Sequence, residues 1–197
     1  MQKRLKLTLI IGLIPLLIFS ACSTTTSTRN WQTFTIEEAP GFDIQFQIPS
    51  DWVANYDPPT DDNPGQWNVV IIPPECSLET GTTFADNCIN LTTYVKGEAE
   101  FNKAELLTYI SESISLDEQG TVRTILMGQE SFEVDGLTIQ RYNHKITNPE
   151  REIQMSIFYL ETEGADYIFI YSVPYEQREG NVATAFRQVL ETIEITN

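Results

Sequence analysis

The chain has 197 residues, 41% of them hydrophobic, and 28 acidic residues against 12 basic ones give a formal net charge of −16. A surface with that surplus repels nucleic-acid phosphates and anionic lipid headgroups and favours solubility, which excludes nucleic acid as a partner. The length past the N-terminal region suits one domain with a sizeable core.

Lys3, Arg4 and Lys6 open the chain, Leu7 to Phe19 carries no charge, and Ser20-Ala21 precede Cys22. This is the layout of a secretory signal, and its apolar run is shorter than the ~20 residues of a membrane span. Cys22 after two small residues resembles a bacterial lipoprotein box, with Phe19 where leucine is commoner. The resemblance implies that residues 1–21 are a signal peptide and that Cys22 is lipidated on sulfur and becomes the first mature residue. The other reading is an ordinary signal peptide in which Cys22 is incidental. Ser23 to Thr28 is polar and of low complexity, so residues 22–30 read as a flexible tether. At ~3.5 Å per residue at most, it keeps the domain close to a membrane. Past Cys22 nine basic residues face 28 acidic ones, a net of −19, so any anchoring falls to lipid. The expected location is the cell membrane or outer membrane, with the domain on the extracytoplasmic side.

Phe42, Ile44, Phe46 and Ile48 alternate with polar residues and predict a half-buried strand ended by Pro49. Asp57, Asp61 and Asp62, with Asn63, offer oxygens that suit a hard cation. The EF-hand spacing is broken, because Asn68 or Ile72 stands where the closing glutamate belongs, and a solvated Pro/Asp turn is the other reading. A second strand is expected over Trp67–Ile72, stopped by Pro73-Pro74, and a third over Cys88–Val95. If Cys22 carries lipid, Cys76 and Cys88 remain, and an exported chain permits a disulfide between them. That bond would staple the hairpin at its open end and contribute about 3 kcal/mol on the chain-entropy view. A metal site is the rival reading, without CxxC spacing or nearby histidines.

Asn102 opens a helix with Leu106, Leu107, Ile110 and Ile114 as its stripe, fading over Asp117–Gly120. Strands are expected over 122–129 and 131–134, then a tight turn at Asp135-Gly136 and a strand over 137–146. On that last strand Arg141, Asn143 and Lys145 share a face, and Arg123 and Arg151 add to a local group of scarce cations. Arg141, Lys145 and Arg151 either receive an anionic ligand or acidic partner segment, or pair across strands with Glu133, Glu150 or Glu152. His144, the single histidine, reads as structural, since a lone histidine supplies neither a triad nor a zinc site. Strands over 153–160 and 167–173 are apolar on both faces, so the sheet needs cover on each side. A helix over 181–192, with Val182, Ala185, Phe186, Val189 and Ile193 as its stripe, supplies a second cover. The fold class is α+β, a mainly antiparallel β-sheet covered by helices on both faces.

Phe42 to Trp52, read as strand, proline, polar pair and tryptophan, is similar to the opening of PsbP-like and DcrB-like domains. Val134-Asp135-Gly136-Leu137 with Arg141-Tyr142 resembles their central hairpin, as do the closing strand, Pro174 and the final helix. The resemblance covers most of 34–195 and rests on pattern and order. It implies a PsbP-like α/β/α sandwich, one domain over 31–197, and an accessory or binding role, often on a lipid anchor. PsbP itself is an extrinsic photosystem II subunit, and its metal- or photosystem-contacting residues have no match here.

No GxSxG, HExxH, GxxxxGKS or GxGxxG occurs in the chain. The function expected is therefore a lipid-anchored extracytoplasmic protein with a non-catalytic binding or complex-assembly role, without a cofactor. It meets the membrane through its lipid and an envelope or membrane protein through its domain. Two alternatives stand: a photosystem II-associated PsbP-type extrinsic protein, and an envelope hydrolase or transferase built on a carboxylate site.

Overall fold

The computed structural model describes residues 30–76, 87–112, 114–116 and 121–196. Residues 1–29, where a signal peptide, Cys22 and a tether are expected, lie outside the described residues, as do 77–86 and 117–120, where the first helix was expected to fade. The element order is β1 (Trp31–Phe34), β2 (Ile44–Pro49), β3 (Val53–Asp57), β4 (Gln66–Ile72), β5 (Ile89–Val95), α1 (Lys103–Ser111), β6 (Ile114–Leu116), β7 (Arg123–Val134), β8 (Leu137–Thr147), β9 (Glu152–Glu161), β10 (Ala165–Pro174), α2 (Asn181–Glu191) and β11 (Glu194–Ile195), with a 3-10 turn at Tyr175–Gln177. An eight-stranded sheet runs in the order β3-β4-β5-β10-β9-β8-β7-β6, and a three-stranded sheet in the order β1-β2-β11. Their pairings are antiparallel.

β9 and β10 lie at the centre, as strands apolar on both faces must. Phe158, Leu160, Tyr167, Phe169 and Tyr171 face the main core, where Ile44, Phe46 and Ile48 of β2 and Phe186 and Val189 of α2 meet them. Ile157, Tyr159 and Ile168 face a second cluster, in which Ile110 is buried and Leu106 and Leu107 are half-buried. The mainly antiparallel sheet matches the expected class. The cover differs from helices alone, because the small sheet shares the main face with α2. Alternation showed that one face of β2 is buried, but not which sheet the strand joins.

The helix expected to include Ile114 stops earlier. Glu112 turns to extended backbone at ψ 127°, and Ile114 belongs to β6, paired with Ile125 of β7. The strands expected over 122–129 and 131–134 are one strand, with a register shift between Leu126 and Gly128. The Asp135-Gly136 turn is as expected: both residues have positive φ (48° and 78°), which a tight two-residue hairpin requires. β1, β3 and β11 were not anticipated, being short and largely exposed.

Candidate functional site

Cys76 and Cys88 form a disulfide with a Cα–Cα distance of 4.9 Å, joining the exit of β4 to the entry of β5. Asp57 is exposed on β3, while Asp61 and Asp62 sit in a turn closed by Asn63 N–H donating to the Thr60 carbonyl at 3.1 Å. Asp61 and Asp62 line a cavity with Glu100, Gln66 and Tyr94, but Asp57 does not. Among the described residues no group of three or more His, Cys, Asp or Glu side chains is placed to hold a metal ion.

Arg141 donates to Glu130 at 2.6 Å and to Asn143 at 3.0 Å, with its guanidinium over the Phe158 ring. Lys145 pairs with Glu152 at 2.8 Å and lies over the Tyr175 ring. The Arg151 backbone N–H donates to Asn148 Oδ1 at 2.8 Å within a turn. Arg141 and Lys145 thus each meet a carboxylate on a neighbouring strand.

Two polar clusters were not legible in the sequence. At one end of the sheet Glu161 accepts from Lys96 at 2.9 Å and from Lys103, and the two lysines hold its carboxyl down at about 2. Tyr159 donates to the buried Asp166, and burial with that carboxylate pushes the phenol well above its usual range. The Lys103–Glu161 pair ties α1 to β9. Near the other sheet, Asp43 accepts from Tyr167 at 2.8 Å, Thr162 at 2.7 Å and the Gly164 N–H at 3.1 Å. A Cβ on Gly164 would lie 2.8 Å from the Gly41 carbonyl oxygen, so this approach requires glycine.

His144 is 3% exposed, and its Nε2 lies 2.8 Å from the Ile110 carbonyl at the end of α1. With Nε2–H donating there, Nδ1 is left without a partner among the described residues, beside a cavity of about 70 Å³ that Glu112 and Thr124 also line. Burial pushes the imidazole below its ordinary 6.5, partly opposed by the Ile110 carbonyl. The unfolded chain therefore binds this proton more readily than the folded one. Stability from this group is present above pH ~6.5 and falls as pH drops, by at most ~1.4 kcal/mol per unit, until the folded pKa is passed. Urea midpoints taken between about pH 7.5 and 5 are expected to fall more steeply for the wild type than for His144→Gln, which keeps a donor but no charge. Parallel pH dependences would exclude His144 as the source.

A cleft of about 370 Å³ lies where β10 gives way to α2. Its walls include Glu75 and Asn87 beside the disulfide, Tyr171 of β10, Glu176 of the 3-10 turn, and Gly180 and Asn181 at the start of α2. Tyr171 is 4% exposed, yet its hydroxyl has no hydrogen-bond partner among the described residues. Burial and then the Glu75 carboxylate push that phenol upward, against a smaller pull from Arg187. α2 is capped by Gly180 without a side-chain hydrogen bond, and Gly180, Asn181 and Val182 at its start line the same cleft. The sequence pattern counted Tyr159, Tyr167 and Tyr171 as apolar, which hid their hydroxyls.

No family model matches the chain, and no curated protein matches it in sequence. Among solved structures it is similar to cyanobacterial PsbP (CyanoP) from Synechocystis sp. PCC 6803, at 15% identity and a TM-score of 0.48, over 90% of this chain and 98% of that one. It is similar to LpqN, involved in cell envelope biogenesis of Mycobacterium tuberculosis, at 11% identity and a TM-score of 0.41, over 87% of this chain and 94% of that one. A protein from Bacteroides thetaiotaomicron is 17% identical at a TM-score of 0.39, over 84% of this chain and 48% of that one. No residue role follows from any of these likenesses.

Proposed function

We propose that this chain is a lipid-anchored extracytoplasmic protein with a non-catalytic binding or complex-assembly role at the cell envelope. The observation that carries the proposal is the uncharged run that ends at Ala21-Cys22, a short polar segment before the first strand at Trp31. Among the described residues no helix is long and apolar enough to cross a membrane. One acyl chain holds a protein only marginally and two or more hold it stably, so the lipid state of Cys22 decides localisation.

Cys22→Ser is expected to abolish incorporation of a fatty-acid analogue and to prevent stable anchoring of the mature form, even if uncleaved precursor stays at the membrane. Labelling is read beside the mass of the mature N-terminus. An unmodified wild-type N-terminus at Ser23 or beyond would sink the lipoprotein reading. The binding role is tested separately by crosslinking in intact envelopes, where a reproducible envelope or membrane protein is expected; recovery of none across several crosslinkers counts against it.

A further inference from the structure

We propose that the cleft at the start of α2 binds a small zwitterion, a ligand with an ammonium group and an anionic oxygen a few bonds apart. The donors lie together. The first-turn N–H groups of α2 lack a side-chain cap and carry the positive end of the helix dipole, which favours an anionic oxygen. The Tyr171 hydroxyl, almost wholly buried in the same wall, lacks a partner among the described residues and adds another donor. A buried polar group of this kind is ordinarily matched, so an unmatched one beside an open cleft marks a place for a ligand acceptor.

The acceptors select the rest of the ligand. Glu75 and Glu176 line the cleft with no ion pair among the described residues, whereas Glu179 is tied to Arg187 at 3.1 Å. These two carboxylates repel a simple anion at the helix start and attract an ammonium group. A simple amine would satisfy the carboxylates and leave Tyr171 and the helix start unmatched. A ligand bearing both charges satisfies both walls, and about 370 Å³ accommodates one of amino-acid size. The same chemistry occurs in a free amino acid and in an aminophospholipid headgroup.

The test is calorimetric titration of the full-length protein in detergent micelles with L-serine, O-phosphoethanolamine, acetate and ethylamine. At least one of the first two is expected to bind saturably and about tenfold or more tighter than acetate and ethylamine. Tighter serine identifies the amino-acid source, and tighter phosphoethanolamine the headgroup. Tyr171→Phe, which keeps the ring, is expected to weaken that ligand about fivefold or more. Glu75→Gln is expected to erase most of its advantage over acetate. No saturable binding, binding matched by acetate or ethylamine, or affinity unchanged in both variants overturns the proposal. The site does not depend on lipidation of Cys22, so a failed titration and a failed labelling experiment are told apart.

Discussion

Replacing Phe186 by alanine is expected to destabilise the domain by about 3–5 kcal/mol, the range for an aromatic side chain truncated inside a packed core. The ring is 1% exposed and stands between α2 and the central strands. Its centroid lies 5.5 Å from Phe158, 5.6 Å from Tyr171 and 6.2 Å from Phe169. Removing it costs the transfer of the ring and opens a cavity walled by three other rings that cannot all collapse into it. Domains of this size are stable by only about 5–15 kcal/mol, so the variant is left marginal. Urea unfolding should show a lower midpoint at an unchanged slope. Tyr109→Ala, at a position 65% exposed, is the contrast and should stay within about 0.5 kcal/mol of the wild type. Equal midpoints for the two variants would mean that α2 does not cover the core as described.

The same helix shows what the sequence made legible. Its stripe of Val182, Ala185, Phe186 and Val189 recurs at helical spacing, and all four residues are buried. β9 and β10 were legible because long apolar strands have few other places to go, and the β7–β8 hairpin because Asp135-Gly136 suits only a few turns. β3 lacks such a signal, since an exposed edge strand needs no alternation and takes its pairing from β4. The partner of Arg141 was within reach. Counting back from the turn sets Val134 against Leu137 and so Glu130 against Arg141, which is the pair formed. Beyond Gly128 the count fails, because the register shift adds a residue, for which Gly128 inside the strand is the one local sign. The cleft was out of reach for another reason. Tyr171 and the start of α2 are brought to Glu75 and Asn87 only once β10 pairs with β5, and that is a property of the closed sheet.

Asp43→Ala is the second large effect, expected at about 2–4 kcal/mol, since hydrogen bonds to a charged group each contribute about 1.5–3 kcal/mol but share one carboxylate here. Asp43 stands just before β2 and ties the small sheet to the β9–β10 turn. Its Oδ1 accepts from Tyr167 and Thr162, its Oδ2 from the Gly164 N–H, and its own N–H donates to the Tyr167 hydroxyl at 2.8 Å. Its carbonyl accepts from Thr196 N–H at 2.8 Å, beside the short strand β11. Truncation leaves a buried phenol, a hydroxyl and a glycine N–H without their common acceptor, which costs more than the loss of any one bond. Tyr167→Phe removes one donor and leaves the carboxylate two, so it should cost less, about 1–2 kcal/mol. The double variant should then be less destabilised than the two single losses added, because both act on the same contact. Hydrogen exchange should also quicken in β1 and β2 before it does in β9 and β10, which the large sheet holds independently. Additive losses, or uniform exchange across both sheets, would show that Asp43 is not the tie between them.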